Sequence, residues 1–220
     1  MEVCHCSLNS PLQTANASPK VVMYDNSGSA SDYVRSLRLI GNRIVGGCHS
    51  IYLNNTAYKT DNIACSSIII DSNELSDAAY SGLYMTGANH LESFSHNFVS
   101  NYKNSGLSYT GVWLEKQQRA DRIECNRIHI RHDKNAWGIS LGHNLNSNDS
   151  NCMIANNEVV MLGSEAKYGI QLDENAKCHL LHNSVFVSGS TTVWALSGNE
   201  WFVCSHYGGA CWVVFTMTMA

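Results

Sequence analysis

The chain is short of charge, of proline and of long apolar runs. Only 15% of its 220 residues are charged, and 14 Lys plus Arg against 18 Asp plus Glu leave a net charge of −4. Nucleic acid is held mainly by neutralising its phosphates. No basic run of five or more residues occurs, so no nucleic-acid partner is expected. The longest apolar run, CWVVFTMTMA at 211–220, is about half of the ~20 residues a membrane span needs. No span is expected either. The N-terminal stretch MEVCHCSLNSPLQTANASPK lacks the basic start and apolar core of a signal peptide. Apolar residues at helical spacing do not persist beyond about three turns. The nine cysteines include no CxxC. Cys4-His5-Cys6 is a lone CxC without the second ligand pair of a zinc site, so no metal is expected there. An odd cysteine count leaves at least one thiol unpaired within the chain, and most cysteines read as small buried hydrophobes.

Asn, Ser, Gly and apolar residues dominate instead. The first three suit tight turns that visit positive φ, and with only two prolines they imply many short strands. The octets WGISLGHN (137–144) and YGIQLDEN (168–175) begin 31 residues apart and share the order aromatic, Gly, Ile, polar, Leu. Related segments are GLYM at 82 and GVWL at 111, with degenerate copies SIYL at 50 and VWAL at 193. Ahead of each lies an Asn with an apolar residue three before it and another two after it. These are Asn42, Asn73, Asn97, Asn126, Asn157 and Asn183, spaced 24 to 31 residues apart.

Each unit holds two short alternating stretches that are too small to bury anything alone. Stacking successive units buries a continuous core, which is the logic of a solenoid. Period-2 strands with no helix between them indicate a parallel β-helix of about six rungs over 36–198. Asn at a fixed turn position tolerates left-handed geometry, and stacked copies hydrogen-bond along the axis. The pattern over 36–198 resembles the right-handed parallel β-helix repeat family, the pectin-lyase-like superfamily with its internal Asn ladder. The resemblance implies an all-β right-handed coil, polysaccharide as partner, and chemistry by hydrolysis or elimination. The right hand also follows from the chirality of parallel crossovers. The paired-Asp motif of polygalacturonases and the Asp cluster that holds calcium in pectate lyases are both missing. No catalytic residue is therefore carried over from the family.

With Ile and Leu of each second strand inward, the residue between them faces out. That row is Tyr52, Tyr84, Trp113, Ser140, Gln171 and Ala195. Rungs lie about 4.8 Å apart, so three large aromatics form a stripe. Tyr52, Tyr84, Trp113 and Gln171 are the candidate substrate-binding residues, because flat rings suit the apolar faces of sugars. The plain alternative is aromatics stacking on one another across strands. The next outward row is Asn54, Thr86, Glu115, Gly142, Asp173 and Ser197. Glu115 and Asp173, two rungs or about 9–10 Å apart, approach the ~6.5–9.5 Å of inverting glycosidases. With His143 and Glu174 beside them, Glu115, Asp173 and His143 are the candidate catalytic groups, against the alternative of a solvated charged edge. Arg131, Lys134 and Lys103 are candidate bases for elimination on a uronic acid, and Ca2+ is expected only if that lyase chemistry holds. No other cofactor is implied. The cluster HIRHDKN, with His129 and His132, is the densest group of cationic and imidazole side chains.

Arg43, Glu74, Phe98, Arg127, Glu158 and Ser184 form the outward row of the preceding strand, where neighbouring opposite charges pair. Residues 101–111, NYKNSGLSYTG, are expected to wall the groove. Residues 1–35 read as a first rung or a cap, and 199–220 as an irregular segment, a partial rung or a tail. The chain reads as a fragment of a longer extracellular or cell-surface protein. Two functions follow: a carbohydrate-binding or polysaccharide-processing β-helix, or a non-catalytic structural or adhesive solenoid.

Overall fold

The computed structural model describes residues 1–12, 20–25, 36–55, 65–87, 89–116, 119–142, 152–172, 178–198 and 202–218. Among them every regular element is a strand. No helix among the described residues is long and apolar enough to cross a membrane.

The alternating stretches fold as three short strands per level. The first level is β1 (Glu2–Cys4), β2 (Ser7–Leu12) and β3 (Val22–Asp25). The second is β4 (Ser36–Ile40), β5 (Arg43–Gly47) and β6 (His49–Asn55). The third is β7 (Cys65–Asp71), β8 (Glu74–Ser76) and β9 (Ser81–Gly87). The fourth is β10 (Asn89–Ser95), β11 (Phe98–Asn101) and β12 (Tyr109–Glu115). The fifth begins with β13 (Arg119–Ala120) and β14 (Arg122–Glu124) and continues with β15 (Arg127–Arg131) and β16 (Ala136–Gly142). The sixth is β17 (Cys152–Ala155), β18 (Glu158–Leu162) and β19 (Lys167–Leu172). A single long strand, β20 (Cys178–Gly198), then passes through all three faces, and β21 (Phe202–Thr218) follows it.

Each strand pairs in parallel with its counterpart one level on, as in β5 to β8 to β11 to β15 to β18 to β20. The chain is a parallel β-solenoid. The five turns from β4 to β19, with β20 as a sixth, are the rungs read from the sequence. On the third face Ile51, Leu83, Val112, Ile139, Ile170 and Leu196 share one register, and all are fully buried. Such a column removes about 1.5–3 kcal/mol worth of apolar side chain from water per level. Of the six free cysteines described, Cys48, Cys152 and Cys178 are buried in this interior, whereas Cys6 and Cys125 are exposed.

The six ladder asparagines are buried and joined end to end. The side-chain oxygen of Asn126 accepts from the backbone N–H of Asn97 at 2.9 Å and from its carboxamide at 3.1 Å. Asn126 donates in turn to Asn157 Oδ1 at 2.9 Å and to the Phe94 carbonyl at 2.8 Å. The same pattern links Asn42 to Asn73, Asn73 to Asn97 and Asn157 to Asn183. One expectation is corrected: the ladder residues are not left-handed themselves. The residue before each is, with φ of 57° at Ser72, 54° at His96, 57° at Cys125, 54° at Asn156 and 53° at His182. The corner is turned one position early, which leaves the Asn amide pointing along the axis.

A second correction concerns the last rung. VWAL at 193 does not align with GIQL at 169, because Trp194 registers with Tyr168 and Ser197 with Gln171. Ala195 is therefore buried beneath the sheet, and Ser197 takes its place in the outward row. The cause is steric. A Cβ on Gly138 would stand 2.5 Å from both the Gly169 carbonyl oxygen and Val159, so this position must be very small. Gly169 and Ala195 continue that column one and two levels on, and the small side chain of Ala195 marks the true phase of the repeat.

At the C-terminal end β21 pairs antiparallel with β20, from Phe202 opposite Ser197 to Thr218 opposite His179. This strand covers the edge that a seventh turn would otherwise use.

Candidate functional site

The third face carries two outward columns. One runs Tyr52, Tyr84, Trp113, Ser140, Gln171 and Ser197. The other, three residues earlier on each strand, runs His49, Ser81, Thr110, Trp137, Tyr168 and Trp194. Aromatic rings fill the first column over β6, β9 and β12, then cross to the second over β16, β19 and β20. The register neighbour of Trp113 on β16 is only Ser140, and that of Trp137 on β12 is only Thr110.

The crossing point opens a cleft of about 360 Å³ lined by Tyr80, Ser108, Thr110, Trp113, Glu115, Trp137, Ser140, Gly142 and Gln171. Its volume sits at the lower end of small-ligand sites. Two indole rings, one carboxylate, one carboxamide and three aliphatic hydroxyls converge there. The Tyr84 hydroxyl donates to Glu115 Oε2 at 3.2 Å. Burial and the negative charge of Glu115 push the Tyr84 phenol up to about 12, so it remains a neutral donor.

The rings are also packed on each other, those at the crossing included. Tyr52 and Tyr84 stack at 5.4 Å and 26°, and Trp137 and Tyr168 at 5.2 Å and 5°. Trp113 turns to 71° against Tyr84, and the Lys20 ammonium stands 3.9 Å from the Tyr52 ring centre. Behind the stripe His49 Nδ1 lies 2.7 Å from Ser81 Oγ. Burial, aided by the charge of Lys20, lowers this imidazole to about 4.

Of the candidate substrate-binding residues, Trp113 and Gln171 line the cleft, Tyr84 reaches it through Glu115, and Tyr52 lies one level beyond Tyr84. Of the candidate catalytic groups, Glu115 lines the cleft, while Asp173, His143 and their neighbour Glu174 lie outside the described residues. The expected wall is partly seen, since Ser108 and Thr110 belong to 101–111. The candidate elimination bases do not gather at the cleft. Lys103 pairs with Asp77 at 3.3 Å, Lys134 pairs with Glu165 at 2.8 Å, and Arg131 is exposed at the end of β15. His129 pairs with Glu158 at 2.7 Å, and the outward row beside it pairs as Arg43 with Glu74 and Arg127 with Glu158. No group of three or more His, Cys, Asp or Glu placed to hold a metal ion occurs among the described residues.

Sequence reasoning missed two things here. The column of Trp137, Tyr168 and Trp194 was signalled by the aromatic residue before Gly138 and Gly169. Lys167 gave no signal: it is fully buried, donates to the Lys134 and Glu165 carbonyls at 2.9 and 2.8 Å, and is lowered by burial to about 8. No family model, curated protein or solved structure matches the chain.

Proposed function

We propose that this protein holds a carbohydrate chain, with the cleft between Trp113 and Trp137 gripping part of it. The single observation that carries the reading is the composition of that cleft. Apolar indole surfaces stand beside Glu115, Gln171 and hydroxyls within one concavity of about 360 Å³. A sugar ring has the matching character, with C–H faces for the indoles and hydroxyls for the acceptors and donors around them. The resemblance of the rung pattern to the pectin-lyase-like superfamily supports polysaccharide as the ligand class, and fold analogy alone supplies no activity. The competing reading, a structural or adhesive solenoid, draws on the ring-on-ring stacking of Tyr52 with Tyr84 and of Trp137 with Tyr168.

Trp113→Ala separates the two. Its loss of one edge-on aromatic contact costs about 1 kcal/mol, or about 2–4 °C in melting temperature for a chain of this size. Glycan binding predicts that the wild type is retained on an immobilised polysaccharide panel and the variant is not, at nearly the same melting temperature. A wild type retained by no polysaccharide, with a variant that merely melts lower, leaves the structural solenoid.

A further inference from the structure

We infer that the turn from β15 into β16 is an acid-opened latch: His132 and Lys167 grip the Lys134 peptide, and protonation of His132 releases it together with Trp137 beyond. The latch is independent of what the cleft binds. It is built within the described segments 131–142 and 163–172. The Lys134 N–H donates to His132 Nδ1 at 3.2 Å, and the Lys134 carbonyl accepts from Lys167 Nζ at 2.9 Å. Both gripping side chains are buried, with exposures of 1% for His132 and 0% for Lys167. Lys167 donates as well to the Glu165 carbonyl at 2.8 Å, which anchors its ammonium in the turn one level on. Beyond Lys134, the Ala136 N–H donates to the Ala166 carbonyl at 3.0 Å, and Trp137 follows as a wall of the cleft.

A ring nitrogen accepts only while it carries no proton, and an imidazolium carries one on each nitrogen. The Lys134 backbone reaches the ring through its N–H, so this contact favours the neutral form and is lost on protonation. Nε2 is buried without a hydrogen-bond partner among the described residues, so nothing there shares a new charge. From the next turn the Lys167 ammonium opposes it; burial lowers Lys167 to about 8, which leaves it charged at neutral and acid pH. From β12 the Tyr109 ring stacks on His132 at 6.1 Å, and burial pushes its phenol well up, so it stays neutral. Asp133 and Glu165 favour the charged ring, but each has another partner, Asn104 at 2.9 Å and Lys134 at 2.8 Å. Burial, with the Lys167 charge added, outweighs them and holds the imidazole below its ordinary 6.5. In the open turn the ring meets water and protonates first as pH falls. The advantage of the closed turn is therefore complete above about pH 6.5 and is lost progressively below it.

The test is amide hydrogen exchange of the whole chain, followed by NMR from neutral pH downwards and corrected for the intrinsic pH dependence of exchange. Protection of the Lys134 amide should fall by up to about tenfold for each pH unit below about 6.5. The Asn126 amide, bonded to Asn157 Oδ1 at 3.1 Å in the ladder, should lose far less. The fluorine resonance of 5-fluorotryptophan at Trp137 should change over the same range. His132→Asn sets a carboxamide oxygen near the place of Nδ1 and cannot titrate there, so its Lys134 protection should not follow pH. Lys134 protection indifferent to pH in the wild type, equal losses at Lys134 and Asn126, a His132→Asn profile like the wild type's, or a Trp137 resonance unmoved while Lys134 opens overturns the inference. If His132→Asn does not fold, the wild-type ring decides. Its Cε1–H shift should titrate below 6.5 together with the loss of Lys134 protection, and a ring that titrates at or above 6.5 overturns the latch.

Discussion

At the residue scale the solenoid depends on side chains that satisfy backbone the strands cannot reach. Asn126 accepts from two donors of Asn97 and donates to Asn157 and to the Phe94 carbonyl. Asn126→Ala orphans all of them inside the core. Each buried orphan costs about 1–3 kcal/mol, so a loss of about 3 kcal/mol or more is expected. Asn42 is itself buried, but two of its partners, the Cys6 N–H and the Val3 carbonyl, lie in partly buried surroundings at the first level where water can replace it, and Asn42→Ala should cost about 1 kcal/mol. Urea unfolding midpoints of the two variants test this, and equal losses would contradict a ladder whose value grows with burial. These positions were legible because the carboxamide chemistry recurs at a fixed offset from apolar neighbours. The left-handed residue ahead of each was legible only at Gly41 and Asn156, whose types suit that geometry, because Ser72, His96, Cys125 and His182 share nothing but the turn they occupy.

At the element scale the third face was half legible. The row of Tyr52, Tyr84 and Trp113 followed from alternation alone. Its end did not, since Val193 occupies a plausible starting position and only the tight space around the glycine column reveals that Ala195 holds it. The cleft was illegible for a related reason: it is made by two columns crossing, and a one-dimensional reading follows one column at a time. The same face carries a pH dependence. Burial first, then Lys20, holds His49 at about 4, below its ordinary 6.5. The unfolded chain therefore binds the proton first as pH falls. The contribution of His49 is complete above about pH 6.5 and is lost progressively between there and about pH 4. Urea midpoints of the wild type should fall across that window more steeply than those of His49→Gln. Parallel profiles would show that the ring is not held neutral.

At the scale of the whole molecule an open solenoid exposes unpaired edges at both ends, and such edges recruit other strands. β21 pairs antiparallel along β20 from Ser197 back to His179 and covers the parallel edge there, its own antiparallel edge becoming the outer one. Removing residues after Gly198 should leave a parallel edge able to take the β1–β3 edge of another copy. That contact does not close on itself, so light scattering should report assemblies that grow with concentration. A truncated chain that scatters as a monomer would show that β21 is not what guards the edge.

If the two indoles at the crossing of the aromatic columns grip a sugar, both should respond to one. The chain contains five tryptophans, so 5-fluorotryptophan labelling gives a fluorine spectrum simple enough to assign with Trp113→Phe, Trp137→Phe and Trp194→Phe. Titration with a short hexose oligomer should move the Trp113 and Trp137 resonances together, while Trp194, at the far end of its column against Tyr168, stays in place. Resonances that do not respond, or a response confined to Trp194, would contradict the account.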